Sequence, residues 1–188
     1  MTAEHAIPDL LHIAGGDTSA ENLVGQILAL TETAFPEEER RTPTGQRFLF
    51  GQPEYNVLAA VKGAVLGGFL AWWQMDGFRY VEHFAVDPAL RGGGLGGKML
   101  DRFTAADRTP CVLEVEPPET EMARRRIAFY RRHGFETCPF AYMQLPLRPG
   151  GVETPLVLMA TQTLQRPQFE RVRDALYARV YTCGTDFA

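Results

Sequence analysis

Between Val81 and Phe103 the chain reads VEHFAVDPALRGGGLGGKMLDRF, and this stretch limits the folds available to it. An apolar run ends at Val86, where Asp87-Pro88 breaks it. Arg91 follows, then five glycines within six residues: Gly92, Gly93, Gly94, Gly96 and Gly97. A helical pattern opens at once, with Leu95, Met99, Leu100 and Phe103 on one face. A strand, a tight glycine loop and a helix together aim bare backbone N–H groups and a helix dipole at a phosphate. The stretch therefore predicts a site for a phosphate-bearing ligand.

The rest of the chain supplies strands before this unit and after it. The segment around His5–Ile13 reads as a first strand, ended by Gly15-Gly16-Asp17. Thr18-x-x-Glu21 is a capping-box pattern ahead of an amphipathic helix reaching about Ala34. Phe35-Pro36 stops it, and Pro36-Glu37-Glu38-Glu39 reads as a second helix start, although those glutamates could instead attract a cation. Tyr55–Val61 and Val65–Met75 form a hairpin about Lys62-Gly63, and Asp76-Gly77 turns the chain into the strand Phe78–Val86. Trp72 and Trp73 fall on opposite faces, so one can be core and the other can line a pocket. After the glycine loop and its helix, CVLEVEP from Cys111 reads as a strand parallel to Phe78–Val86, completing a right-handed crossover. Glu119–His133 reads as a helix with Ala123, Ile127 and Tyr130 on one face and Gly134 after its end. Phe135–Leu147 and Thr154–Thr161 read as further strands, and Pro167 opens a closing helix with Phe169, Val172, Leu176 and Val180 buried. The expected architecture is α/β: a mixed sheet of about seven strands with helices on both faces, residues 1–165 forming the domain. Residues 166–188 form a C-terminal helix that packs on the domain or at the interface of a homodimer.

The chain has 188 residues, 45% of them hydrophobic, which suffices for a full core without disulfides or metal. A net charge of −4 argues against a nucleic-acid partner. The most apolar stretch, Ala64–Trp73, is too short to span a membrane. Cys111, Cys138 and Cys183 are odd in number and lack metal spacing, so they read as reduced thiols of a cytoplasmic protein. The first ten residues show no basic region followed by an apolar core, so no export signal is expected.

Three phosphate-loop patterns overlap. Gly92-x-Gly94-x-x-Gly97 matches a dinucleotide fingerprint, but residues 87–91 separate it from the strand end that the fingerprint requires. Gly92-x-x-x-x-Gly97-Lys98 matches a P-loop up to Met99, where a magnesium-binding hydroxyl belongs. Arg91-x-x-Gly94-x-Gly96 resembles the acyl-CoA loop of the GNAT acetyltransferases. The whole segment AVDPALRGGGLGGKML is similar to that family's strand–loop–helix unit, including Asp-Pro after the strand. Tyr130-Arg131-Arg132-His133-Gly134-Phe135 resembles its second signature, a Tyr followed four residues later by Gly-Phe. The likeness covers essentially residues 5–165. One position departs from it: Ala123 stands about where an Asn is frequent in the Tyr-bearing helix.

The resemblance implies the GNAT fold and transfer of an acetyl group from acetyl-CoA to a small-molecule or peptide amine. None of the four histidines pairs with a ligand at metal spacing, so no metal is expected. A non-catalytic acyl-CoA-binding sensor of the same fold is the alternative. An amide-forming transfer needs a neutral amine, a polarised thioester carbonyl and a proton for the thiolate. Glu82 lies four residues before Val86, and period-two alternation puts it on one face with Tyr80, Phe84 and Val86. The resemblance implies that Glu82 is the general base; the plain alternative is a strand Glu paired with an arginine. Phe84, Ala85 and Val86 would grip the thioester and pantetheine, on a strand splayed away from Val112–Glu116. Arg91, Leu95 and Gly92, Gly93, Gly94, Gly96 and Gly97 would hold the pyrophosphate. Tyr130 would protonate the leaving thiolate, against the plain alternative of a core tyrosine. Glu114 and Glu116, with Trp72, are candidates for the acceptor site. His83 is expected to face away from Glu82. Cys111 and Cys138 read as core thiols, so transfer is expected to be direct, in a ternary complex.

Overall fold

The computed structural model describes residues 8–187. An eight-stranded sheet forms the centre, built from β1 (Asp9–Ile13), β2 (Tyr55–Lys62), β3 (Val65–Met75), β4 (Phe78–Val86), β5 (Cys111–Val115), β6 (Glu136–Thr137), β7 (Tyr142–Gln144) and β8 (Thr154–Ala160). The order is β1-β2-β3-β4-β5-β8-β6, with β7 also paired to β8. Every pairing is antiparallel except β4 with β5. The part of the expected first strand before Pro8 lies outside the described residues; β1 itself begins at Asp9.

The helices are α1 (Glu21–Ala34), α2 (Pro43–Leu49), α3 (Leu95–Ala106), α4 (Glu121–Arg132) and α5 (Arg166–Arg179). They divide the core in two. On one face Ile27 of α1, Leu49 of α2 and Phe169, Val172 and Leu176 of α5 pack on Tyr55, Phe69, Trp73 and Tyr80. On the other, Leu95, Met99, Leu100 and Phe103 of α3 and Ile127 and Tyr130 of α4 pack on Leu70, Val81, Leu113 and Met159. Two-sided coverage accounts for the nearly continuous apolar runs in β3 and β5. The residues after α5 continue into the first cluster with Val180, Tyr181 and Cys183. The C-terminal segment is thus packed on its own sheet.

Three local readings change. The α1 helix starts at Glu21 and not at the Thr18 pattern, because Asp17 caps a 3-10 turn at residues 18–20 by accepting from Ser19 N (2.8 Å). The acidic run Glu37–Glu39 is a single 3-10 turn, closed when Arg40 N donates to Glu37 O. The true second helix starts at Pro43, where Thr42 caps Gly45 N. The run Phe135–Leu147 is two short strands, because Pro139 falls between them and has no N–H for a sheet ladder.

Candidate active site

Strands β4 and β5 are paired only at Arg79–Cys111, Tyr80–Val112 and Val81–Leu113. Beyond that point they diverge. The β5-facing edge of β4 from Glu82 to Val86 has no strand partner, and these residues line a cavity of about 450 Å³. Its other walls carry Glu114 and Glu116 of the β5 end, Tyr130 and Arg126 of α4, and Glu39. A second cavity of about 750 Å³ opens on the α3–α4 side. Phe84, Val86, Arg91, Arg126 and Tyr130 line both, so the two form one cleft that passes through the sheet at the splay.

The glycine loop builds the second cavity. Asp87 accepts from Ala89 N (2.8 Å) and closes a 3-10 turn at Pro88–Leu90, which sets Arg91 and the glycines beneath the strand end. Gly92 (φ 84°) and Gly94 (φ 75°) adopt left-handed backbone, which a side chain would oppose, and Gly94 stands at the N-terminus of α3. A Cβ on Gly96 would sit 3.5 Å from Val86 and 3.6 Å from Phe84, so its missing side chain keeps the cradle floor open. A Cβ on Gly97 would meet the His133 ring at 3.0 Å, so glycine lets α3 and α4 approach. Gly92, Gly94, Gly96 and Gly97 line this cavity with Arg91 and Leu95, whereas Gly93 turns toward a separate groove with Leu90 and Lys98. Loop N–H groups without a partner among the described residues, a helix N-terminus and an arginine fit a pyrophosphate, and the cavity continues toward Tyr130 as a pantetheine arm requires.

Tyr130 sits at the junction. The last turn of α4 places it: Phe135 N and His133 N both return to Tyr130 O, and Gly134 (φ 85°) makes the reversal. Burial pushes its phenol up to about 12, with Arg126 opposing and Glu116 adding to the shift. At neutral pH it therefore keeps its proton.

Glu82 is not where alternation puts it. β3 and β4 pair Ala71 with His83 and Trp72 with Val81, leaving Glu82 as one extra residue, a β-bulge. The bulge resets the face of everything after it. Tyr80 and Ala85 pack in the first cluster and Val81, Phe84 and Val86 in the second. Glu82 therefore shares a face with Tyr80 but not with Phe84 or Val86. His83 stays beside it, with Nδ1 3.7 Å from Glu82 Oε2. His83 packs edge-on to Phe35, and burial holds its imidazole below the usual range. Arg41, which nothing in the local sequence singles out, donates through Nη1 to Glu82 Oε1 at 2.5 Å. The side chains of Arg41 and Glu82 are 0% and 3% exposed, so this is a buried ion pair. Arg41 also donates to Val180 O (2.6 Å) and Cys183 O (2.7 Å). Glu82 Oε2 is buried without a hydrogen-bond partner among the described residues.

Glu114 has different surroundings. The Tyr142 hydroxyl donates to its Oε1, and the Tyr181 hydroxyl lies 2.7 Å from Oε1 and 2.8 Å from Oε2. Burial raises its carboxyl to about 7, against the opposing effect of these hydroxyls and that of Tyr80. Glu116 pairs with Arg126. Glu39, from the acidic turn, also faces the cavity, and burial and then Glu116 hold its carboxyl above the usual range. Trp72 does not reach the cleft. It stacks on His12 and packs on Phe103, in a groove on the far side of β3. Its neighbour Trp73 is fully buried core. Burial pushes the thiols of Cys111 and Cys138 up to about 11.

The chain is similar to known proteins in sequence and in fold. Residues 53–137 match the family model described as acetyltransferase (GNAT) domain. A solved Bacteroides thetaiotaomicron protein, assigned as a GNAT-family acetyltransferase, is 34% identical, with a TM-score of 0.83 over 95% of this chain and 99% of that one. The curated Bacillus subtilis protein YjbC, assigned as an acetyltransferase, is 33% identical over 69 residues, 36% of this chain. That match spans only 35% of YjbC. An aminoglycoside 6'-N-acetyltransferase solved with coenzyme A shares the fold, with a TM-score of 0.55 and 18% identity over 84% of this chain and 99% of that one. Near-complete coverage at 34% identity, together with the splayed β4–β5 cleft, means that the chain belongs to the GNAT acetyltransferase family.

Proposed function

We propose that this chain is an acetyl-CoA-dependent N-acetyltransferase whose acceptor is a cationic primary amine, on a small molecule or a peptide. One observation carries the reading. The cleft joins a glycine cradle fit for a pyrophosphate to a chamber walled by Glu39, Glu82, Glu114 and Glu116, and Tyr130 stands between them. A fold neighbour solved with coenzyme A supports the choice of ligand.

When bound, acetyl-CoA supplies an activated acyl carbon and a thiolate leaving group. The chain's residues do the rest. Arg91 and the loop N–H groups hold the pyrophosphate, and the unpaired edge of β4 from Phe84 to Val86 receives the pantetheine and thioester. The carboxylate wall attracts the ammonium and accepts its proton. Tyr130 gives its hydroxyl proton to the departing sulfur. Cys111 and Cys138 are buried thiols held protonated at neutral pH, and neither lines the cleft. Transfer is therefore direct, with both substrates bound. Its three buried cysteines are free, which is consistent with a reducing, cytoplasmic setting.

The test is thiol release from acetyl-CoA over a panel of mono- and diamines, basic peptides and neutral amines. Turnover with cationic amines, reduced by on the order of 100-fold in Tyr130→Phe, is expected. CoA binding with no thiol release for any amine would instead make this an acyl-CoA-binding module.

A further inference from the structure

Glu82 and Glu114 reach the acceptor chamber from adjacent strands, and only one of them is free to change charge at low cost. Glu82 is tied to Arg41, whose remaining hydrogen bonds go to carbonyls. Discharging Glu82 would leave a fully buried guanidinium without a counter-charge. Among the described residues Glu114 touches no cation. Its partners Tyr142 and Tyr181 are neutral hydroxyls that can rotate when it takes up a proton. Tyr181 has one proton to share between the two carboxylate oxygens, so Glu114, which lines the chamber, keeps lone pairs free to accept a proton.

We infer that Glu114 is the proton acceptor for the incoming ammonium, that Glu82 is the fixed anion binding it, and that Tyr181 is the positioning residue that holds Glu114. The inference deepens the acetyltransferase reading and rests on it. It also makes the segment after α5 a working part of the site, since Tyr181 steadies one carboxylate and the carbonyls of Val180 and Cys183 orient Arg41 against the other.

The ionisable groups around Glu114 are Tyr80 and Glu82 on β4, Tyr142 on β7, and Tyr177 and Tyr181 from α5 and the turn after it. Glu39 from the acidic turn, His83 on β4, Glu116 after β5 and Arg126 on α4 line the same chamber, and Arg41 stands behind Glu82. Burial is the largest influence on Glu114 and leaves it near 7, where a general base works best. The balance of the step is closed. An ammonium proton passes to the Glu114 carboxylate, and the freed nitrogen lone pair forms the N–C bond to the acetyl carbon as the C–S bond breaks. The sulfur takes the Tyr130 proton, the new amide nitrogen sheds its second proton to restore Tyr130, and Glu114 releases its proton to solvent. One proton is released per turnover.

The test is kcat and amine KM from about pH 5.5 to about 9, for wild type and three variants. Wild type should show an acid limb near 7. Glu114→Gln should lower kcat by about 100-fold and abolish that limb. Glu82→Gln should raise amine KM by on the order of tenfold and keep the limb. Tyr181→Phe should move the limb to higher pH, since one stabilising donor to the carboxylate is gone, and leave CoA affinity unchanged. If Glu114→Gln keeps the limb and stays within about threefold of wild type, or the limb is lost in Glu82→Gln instead, the assignment is overturned. Should Glu114→Gln fail to bind CoA, Tyr181→Phe decides, and an unmoved limb overturns it. A wild type inactive on every amine overturns the acetyltransferase reading itself, which sets that failure apart.

Discussion

Arg41→Met is the substitution whose consequences the structure specifies most fully. The side chain is fully buried, and its three hydrogen bonds reach β4 and the C-terminal segment. Removal leaves the Glu82 carboxylate buried and uncompensated, a loss of about 3–5 kcal/mol. Val180 O and Cys183 O lose their partner at the same time. At roughly 2–4 °C per kcal/mol for a chain of this size, the melting temperature should fall by about 6–20 °C. Urea unfolding of Arg41→Met, Glu82→Leu and the double variant gives the cycle. Adding Glu82→Leu to Arg41→Met should return about 2 kcal/mol, because the stranded charge is gone while the two carbonyls stay unpaired. An Arg41→Met cost below about 1 kcal/mol, or a double variant weaker than the single by the full Glu82→Leu cost, would refute the argument.

Two other consequences are open to measurement. Glu114 has its folded carboxyl raised from 4.5 to about 7, so its contribution to stability is present below the unfolded value and lost as pH rises from 4.5 through 7. Glu114→Gln should therefore gain on wild type across that window by at most about 3 kcal/mol in urea midpoints, and a difference independent of pH would contradict this. Taking the difference between the two proteins cancels the opposite effect of His83, whose lowered imidazole loses stability as pH falls below 6.5. Gly96→Val would fill the cradle floor beside Val86 and Phe84, and should weaken CoA binding on the order of tenfold by calorimetry; unchanged affinity would mean the ligand lies elsewhere.

The hairpins were legible because Lys62-Gly63 and Asp76-Gly77 leave little choice of turn, and each Gly adopts positive φ there. The cradle was legible because its chemistry is backbone chemistry, and glycine is the residue that exposes backbone. The site's interior was less so. A period-two count cannot register one inserted residue, and the bulge at Glu82 turned both Glu82 and His83 to the α1 side. Arg41 sits in a polar run, EEERRTP, where every charge reads as solvated, and its partners lie 41, 139 and 142 residues later. Tyr142 and Tyr181 meet Glu114 across 28 and 67 residues, a distance over which no local pattern operates. Pro139 was visible and marks the break between β6 and β7. Trp72 shows the reverse: an aromatic on a strand face beside the site element, used to cover α3.

Direct transfer across the splayed cleft is the central claim, and initial velocities with acetyl-CoA and amine varied together test it most directly. Intersecting double-reciprocal lines, with no label left on the protein after incubation with labelled acetyl-CoA alone, are the predicted result. Parallel lines with a stable acyl-protein would contradict the account and require a nucleophile that the cleft residues do not supply.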